Sequence, residues 1–151
     1  MRTESRNNLA AVQEGAVTAL LAARGWTRMS SALIQTLSDV PASHYMHKTK
    51  FATTTQPQEV DIACGLGNTI VLAMECKVTN DPLNSIKRIN DVLKKATAWQ
   101  AHWGSFVRTA ALLQGVINYN DVHRLLAANV EVFWSHKLED FDAWIDAHVT
   151  S

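Results

Sequence analysis

The sequence predicts an α/β fold: a central mixed β-sheet of about four to five strands flanked by helices. Three observations carry this. Helical stripes and short apolar strands alternate in the order α, α, β-hairpin, α, β, α, β, α. The stretch Thr69 to Val78 alternates as a strand, with Ile70, Leu72, Met74, Cys76 and Val78 on one side and Val71, Ala73, Glu75 and Lys77 on the other. A strand wholly apolar on one face and half apolar on the other belongs in mid-sheet, with helices over both faces.

In order, Leu9, Val12, Ala16, Ala19, Leu20 and Ala23 recur at helical spacing between Ser5 and Arg24, and Gly25 stops the helix. Glu14 lies on the flank of that stripe. A weaker helical patch covers Ser31 to Thr36, ended by Pro41. His44 to Pro57 is polar and reads as an irregular loop with one short strand at most. Glu59 to Cys64 is a strand with Val60 and Ile62 on one face and Glu59, Asp61 and Ala63 on the other. Gly65-Leu66-Gly67-Asn68 supplies the φ > 0 positions of a tight turn into Thr69–Val78. A turn centred between Leu66 and Gly67 would set Asp61 nearly opposite Leu72, three residues short of Glu75, so a bulge or twist is required to join the carboxylates. Asn80 or Asp81 caps the next helix, with Pro82 in its first turn. Leu83, Ile86, Ile89, Leu93 and Ala96 form its apolar stripe, and Gly104 ends it. Strands at Phe106–Ile117 and Val130–Ser135 enclose a short helix at Asp121–Ala128, and a helix at Leu138–His148 closes the chain.

At 151 residues, 47% apolar and 19% charged, the chain reads as one soluble domain with a sizeable core. Its 14 basic and 14 acidic residues cancel, so any attraction to nucleic acid has to be local. Cys64 and Cys76 read as reduced, buried thiols. No run approaches the ~18 apolar residues of a membrane span, and a cytoplasmic protein is expected.

The chemistry concentrates in Glu59-Val60-Asp61 and, past the turn, Glu75-Cys76-Lys77. Asp61 and Glu75 can hold a hard divalent cation, Mg²⁺ or its substitute Mn²⁺, with the backbone carbonyl of Cys76 as a neutral third ligand. Lys77 shares a face with Glu75, where its ammonium can orient a water or stabilise a phosphate. The bland alternative is a semi-buried ion-pair network, which Glu-x-Lys alone would favour. Against it, a Glu and a Lys on one face of a central strand are costly to bury without a partner or a metal.

This Asp…Glu-x-Lys arrangement resembles the PD-(D/E)xK nuclease superfamily, with Val60 where the signature has proline. Met74-Glu75-Cys76-Lys77-Val78-Thr79-Asn80 with Leu83-Asn84-Ser85-Ile86-Lys87-Arg88 is similar to the core of the XamI-type restriction endonucleases. So are Ala98-Trp99-Gln100, Leu113-Gln114-Gly115-Val116 and Val132-Phe133-Trp134-Ser135-His136. The resemblance implies a restriction-endonuclease-like core, residues 1–151 as one nuclease domain, and Mg²⁺-dependent DNA hydrolysis leaving 5′-phosphate and 3′-hydroxyl ends. It implies a homodimer on double-stranded DNA and a cognate DNA methyltransferase in the same system. An acidic residue on the helix before the sheet often joins the superfamily's metal site, which makes Glu14 a further candidate, with a solvated helix face as the equal alternative. Being shorter than typical restriction enzymes, the chain also reads as a catalytic core without a separate target-reading region.

On the helix after Asn80, Asn84, Lys87, Arg88, Asp91 and Lys95 are expected opposite the apolar stripe. The resemblance turns Asn84, Ser85, Lys87 and Arg88 towards DNA. Lys48 and Lys50, beside His44 and His47, form a second basic segment expected to face substrate. His44-x-x-His47 lacks the second pair that zinc requires. Trp99 and Trp103, one turn apart, are expected in the core rather than in a dimer patch. Two other functions stay open: a repair or recombination nuclease on the same fold, and a non-catalytic DNA-binding module.

Overall fold

A computed structural model describes residues 3–149, with side chains from residue 8 onward. Helix α1, Thr3–Ala23, ends where Gly25 takes φ 83° and the Trp26 N–H returns to the Leu21 carbonyl at 3.1 Å. Its buried face is not the apolar stripe read from the sequence. Val12 is 70% exposed, and the residues turned inward are Gln13, Glu14, Val17 and Leu21. Two polar side chains thus enter the interior on this helix, each with partners waiting there.

Two short strands follow, β1 (Thr27–Arg28) and β2 (Leu33–Ile34). The helical patch expected at Ser31–Thr36 is therefore wrong. Ile34 is buried, and the helical turn that follows is a 3-10 turn at Leu37–Asp39, fastened by Thr36 and Asp39. The expected loop after it is the eight-residue strand β3, His44–Phe51. Both β1 and β2 lie parallel on one side of β3, and β4 (Gln58–Gly67) lies antiparallel on the other.

The hairpin from β4 to β5 (Ile70–Thr79) turns at Asn68 (φ 52°) and Thr69 (φ 62°), the two left-handed residues of a type I′ turn. The expected turn two residues earlier is corrected by this, and so is the register. Cys64 lies opposite Leu72 and Ile62 opposite Met74, with an irregularity between Gly65 and Gly67. Asp61 consequently reaches the level of Glu75 rather than that of Leu72.

Helix α2, Pro82–Trp103, starts at Asp81, whose carboxylate accepts the Asn84 N–H at 2.9 Å, and stops at Gly104, φ 63°. Its buried stripe is Ser85, Ile89, Val92, Ala96 and Trp99, while Leu83 is 74% exposed and Ile86 40%. Strand β6 (Val107–Gly115), helix α3 (Tyr119–Ala127), strand β7 (Glu131–Trp134) and helix α4 (Leu138–His148) complete the chain.

Among the described residues the sheet has seven strands, more than the four to five expected, in the order β1-β3-β4-β5-β6-β7 with β2 also on β3. β5, β6 and β7 run parallel. One face (Leu72, Met74, Cys76, Leu112) is covered by Val17 and Leu21 of α1 and Phe141 and Ile145 of α4. The other (Val71, Ala73, Ala111, Leu113) is covered by Ile89, Val92, Ala96 and Trp99 of α2 with Leu125 of α3. Trp99 is fully buried against Phe51 at 5.6 Å between ring centroids, and Trp103 donates to the Ala52 carbonyl at 2.8 Å, so both belong to the core. Cys64 and Cys76 are free, buried thiols; burial raises the Cys64 thiol to about 12. Among the described residues no helix is long and apolar enough to cross a membrane.

At the end of β6, Gly115 takes φ 101°, and a Cβ there would fall 1.8 Å from the Thr79 carbonyl oxygen of β5. Gly115→Ala therefore meets backbone strain and a backbone clash together, and is expected to cost about 3 kcal/mol. Urea denaturation of the variant checks this.

Candidate active site

The site forms where β4 and β5 part. Their ladder of paired residues runs to Ile62 opposite Met74, and beyond it carboxylates take over the bonding. The Cys76 N–H donates to Asp61 Oδ2 at 2.7 Å, and the Asp61 N–H donates to Glu75 Oε2 at 3.1 Å. Side-chain facing changes at the same level. Val60 packs on the Trp99 side of the sheet with Ala63, while Ile62 and Cys64 pack on the α1 side, so Val60 and Ile62 do not share the face expected of them. On β3 the residue at this level is Lys48, whose φ of 59° is left-handed inside a strand. Tyr45 packs towards α1, whereas Phe51, beyond Lys48, packs towards Trp99.

Two ion-pair groups meet at Asp61. On the α1 side, Lys48 Nζ lies 2.8 Å from Asp61 Oδ1 and 3.1 Å from Glu14 Oε2, and His47 Nε2 lies 2.8 Å from Glu14 Oε1. On the α2 side, Lys95 Nζ is 2.7 Å from Glu75 Oε1, Lys77 Nζ is 3.7 Å from the same oxygen, and Asp91 holds Lys77 at 2.6 Å. Beneath them Gln13 donates to the carbonyls of Lys77 (3.2 Å) and Leu112 (3.0 Å) and to Ser135 Oγ (3.1 Å), fixing the back of the Glu75-x-Lys77 strand.

Burial, then the nearby charge of Asp61, raises the Glu75 carboxyl above its ordinary range, against the pull of Lys95 and Lys77. A raised carboxyl binds its proton more tightly in the folded chain than in the unfolded one. Glu75 therefore opposes folding at neutral pH, and this opposition fades as pH falls through the raised value. Asp91 is only half-buried; desolvation raises its carboxyl, and Lys77 and Lys95 together more than reverse this, holding it below its ordinary value. Desolvation lowers the Lys48 ammonium, and Asp61 and Glu14 more than reverse it, leaving Lys48 above its usual value.

In front of the carboxylates lies an open cleft of about 770 Å³, lined by Lys48, Lys50, Asp61, Glu75, Lys77 and Lys95 among others. Asp61 and Glu75 converge in it with Lys77 beside them, and Glu14 joins Asp61 only through Lys48. Asn84 sits half-buried, its amide spent on Asn80 and Asp81 at the cap of α2. Ser85 is fully buried with its hydroxyl 3.3 Å from Asp121, so it has no surface to offer DNA; its place in the stripe explains why. Lys87 is exposed and Arg88 half-buried.

Several members of this cluster are not assigned to it by sequence alone. Gln13 carries no signal at all. The sequence puts His47 and Lys48 on a loop, and Asp91 and Lys95 on a phosphate-facing surface. The usable signal is the i, i+4 pair Asp91–Lys95 on the helix that follows the Glu-x-Lys strand.

Among the described residues no three Asp, Glu, His or Cys side chains converge into a closed metal cage. The open donor set nonetheless suits Mg²⁺, which binds through one or two carboxylates and keeps several waters. The Cys76 N–H points to β4, and in a strand the same residue's carbonyl points that way as well, beside both carboxylates.

A sheet covered by helices on both faces, with Asp61 and Glu75-x-Lys77 at the open end of a hairpin, is the arrangement that the resemblance to the PD-(D/E)xK nucleases implies. The chain belongs to the XamI restriction endonuclease family, whose sequence model matches residues 1–134. It is 33% identical over 106 residues to the type II restriction enzyme XamI of Xanthomonas campestris pv. amaranthicola, a match covering 68% of this chain and 37% of that enzyme. It thus spans well under two thirds of that relative's length. In fold it is similar to protein VC1899 from Vibrio cholerae, with 15% identity and a TM-score of 0.53 over 72% of this chain and 29% of that one. A repair endonuclease from Pyrococcus abyssi superimposes with 12% identity and a TM-score of 0.41 over 58% of this chain and 38% of that one.

Proposed function

We propose that this chain is a site-specific DNA endonuclease dependent on Mg²⁺, with Mn²⁺ as substitute, and that residues 1–151 form one nuclease domain. The observation that carries the reading is the convergence of Asp61 and Glu75 beside Lys77 in an open, lysine-lined cleft. Family membership supports it. Asp61, Glu75 and the Cys76 carbonyl would hold the metal, with Glu14 as a further ligand. When bound, the metal supplies positive charge on the phosphate and a more acidic water.

The chain's own residues do the rest. Lys77, steadied by Asp91, donates to the attacking water and to the phosphate oxygen as charge builds there. Gln13 holds the strand that carries Glu75 and Lys77 from behind. Water adds to phosphorus as the bond to the 3′-oxygen breaks, leaving 5′-phosphate and 3′-hydroxyl ends. Lys50, Lys87 and Arg88 are the DNA-contacting cations in this reading, joined by Lys48. A homodimer would place two such sites on the two strands of the duplex, and a cognate methyltransferase would protect the host's own sites.

The test is digestion of unmethylated phage DNA in Mg²⁺. Discrete fragments are expected. A featureless smear would replace the site-specific reading by a non-specific nuclease. Intact DNA in both Mg²⁺ and Mn²⁺, with protein shown to be folded, would overturn the catalytic reading.

A further inference from the structure

Lys48 stands where a cation is wanted. Its ammonium bridges two carboxylates from different elements, Glu14 of α1 at 3.1 Å and Asp61 of β4 at 2.8 Å. Glu14 is 6% exposed and Asp61 18%, whereas Lys48 itself is 59% exposed and lines the cleft. The carboxylates are therefore fixed in the protein, and the lysine is the partner free to leave. The backbone is shaped for this contact. Lys48 takes φ 59°, a region that an L-residue with a long side chain adopts at a cost, inside an otherwise extended strand. That local inversion accompanies the change of facing along β3, and it lets a lysine at this level reach the site. His47, the preceding residue, secures the other oxygen of Glu14 at 2.8 Å, so Glu14 keeps one partner if Lys48 departs.

We propose that Lys48 is an internal placeholder cation: it neutralises Glu14 and Asp61 in the metal-free protein and gives up Asp61 when a divalent cation is bound. The proposal rests on the reading of Asp61 and Glu75 as metal ligands. Lys48 thus lowers the intrinsic metal affinity while keeping the empty site from being a cluster of unneutralised carboxylates. Once released, its ammonium lies at the mouth of the cleft, where a phosphate can take the place of Asp61 as its partner. A bound state that must first break a charge-assisted pair is weakened by the strength of that pair, which sets the expected effect at about tenfold.

The test is Mn²⁺ titration by calorimetry, without DNA, of the wild-type protein, Lys48→Asn, Lys48→Arg and Asp61→Asn. Asparagine tolerates the left-handed backbone and removes the charge, so the variant isolates the ammonium from the fold. Tighter Mn²⁺ binding by Lys48→Asn, by about tenfold, with Lys48→Arg close to wild type, is the expected result. Thermal melts of the metal-free proteins give a second readout: Lys48→Asn is expected to melt lower than wild type and to gain more from Mn²⁺. Equal or weaker Mn²⁺ binding by a folded Lys48→Asn overturns the placeholder role while leaving the metal site standing. Binding absent from wild type and Lys48→Asn alike, or unchanged by Asp61→Asn, overturns the metal-site reading itself.

Discussion

Asp61→Asn is expected to leave a folded protein whose DNA cleavage is slower by at least about 10³-fold, the loss of several kcal/mol of metal-borne transition-state stabilisation. Each oxygen of Asp61 has a separate task. Oδ2 takes the Cys76 N–H at 2.7 Å and thereby spaces β4 from β5, and Oδ1 meets Lys48 at 2.8 Å. An asparagine can keep the first bond through its carbonyl oxygen, which preserves the strand spacing. Its amide then faces the Lys48 ammonium, donor against donor, and carries no charge for a metal. Circular dichroism should therefore match wild type while single-turnover cleavage of a DNA duplex collapses. An unfolded variant would mean that the charge of Asp61 facing Lys48, which asparagine removes, is needed for the fold itself.

The two lysines around Glu75 are expected to separate in their effects. Lys77→Met should slow cleavage by about 10²–10³-fold even in alkaline buffer, since a donor aimed at the developing phosphate charge is lost. Its acid limb should also be raised, because Lys77 helps hold the Glu75 carboxyl down. Lys95→Met should act through pH. Lys95 lies 2.7 Å from Glu75 and opposes the rise that burial and Asp61 impose on its carboxyl. With that ammonium gone, Glu75 holds its proton to a higher pH, and a protonated Glu75 does not ligate a metal. The acid limb of the pH–rate profile is thus expected to move upward, with the rate largely recovered in alkaline buffer. The profiles of the two variants measured side by side check this. A uniform loss in Lys95→Met would make Lys95 a donor to the phosphate, as Lys77 is, rather than a tuner of Glu75.

Much of the fold was legible because its signals are local. The alternation of Ile70 to Val78, the Asp81-Pro82 start of α2 and the Gly25 and Gly104 stops each depend on a few neighbouring residues. β3 was not legible. His-Tyr-Met-His-Lys-Thr-Lys-Phe is polar, and its change of facing at Lys48 breaks the two-residue period that marks a strand. The buried stripes of α1 and α2 escape the sequence for a related reason. Gln13, Glu14 and Ser85 are polar residues that turn inward because Lys77, Lys48 and Asp121 meet them there, and those partners lie far away in sequence.

The pair Asp61 and Glu75 was legible as chemistry, but their meeting depended on a turn at Asn68-Thr69 rather than Leu66-Gly67 and on the irregularity between Gly65 and Gly67, which together shift the register by three residues. Composition does not distinguish those turns. His47 was out of reach, since it joins the site only through the way β3 is laid against the hairpin, and Lys95 is marked only by its i, i+4 spacing from Asp91.

Linearisation of supercoiled, unmethylated plasmid in Mg²⁺, by the wild-type protein beside Asp61→Asn, decides whether Asp61 holds the metal of a DNA endonuclease. Linear product is expected from the wild type, none with EDTA, and plasmid left supercoiled by the variant. Equal cleavage by a folded Asp61→Asn, or cleavage by the wild type that persists in EDTA, would contradict that assignment.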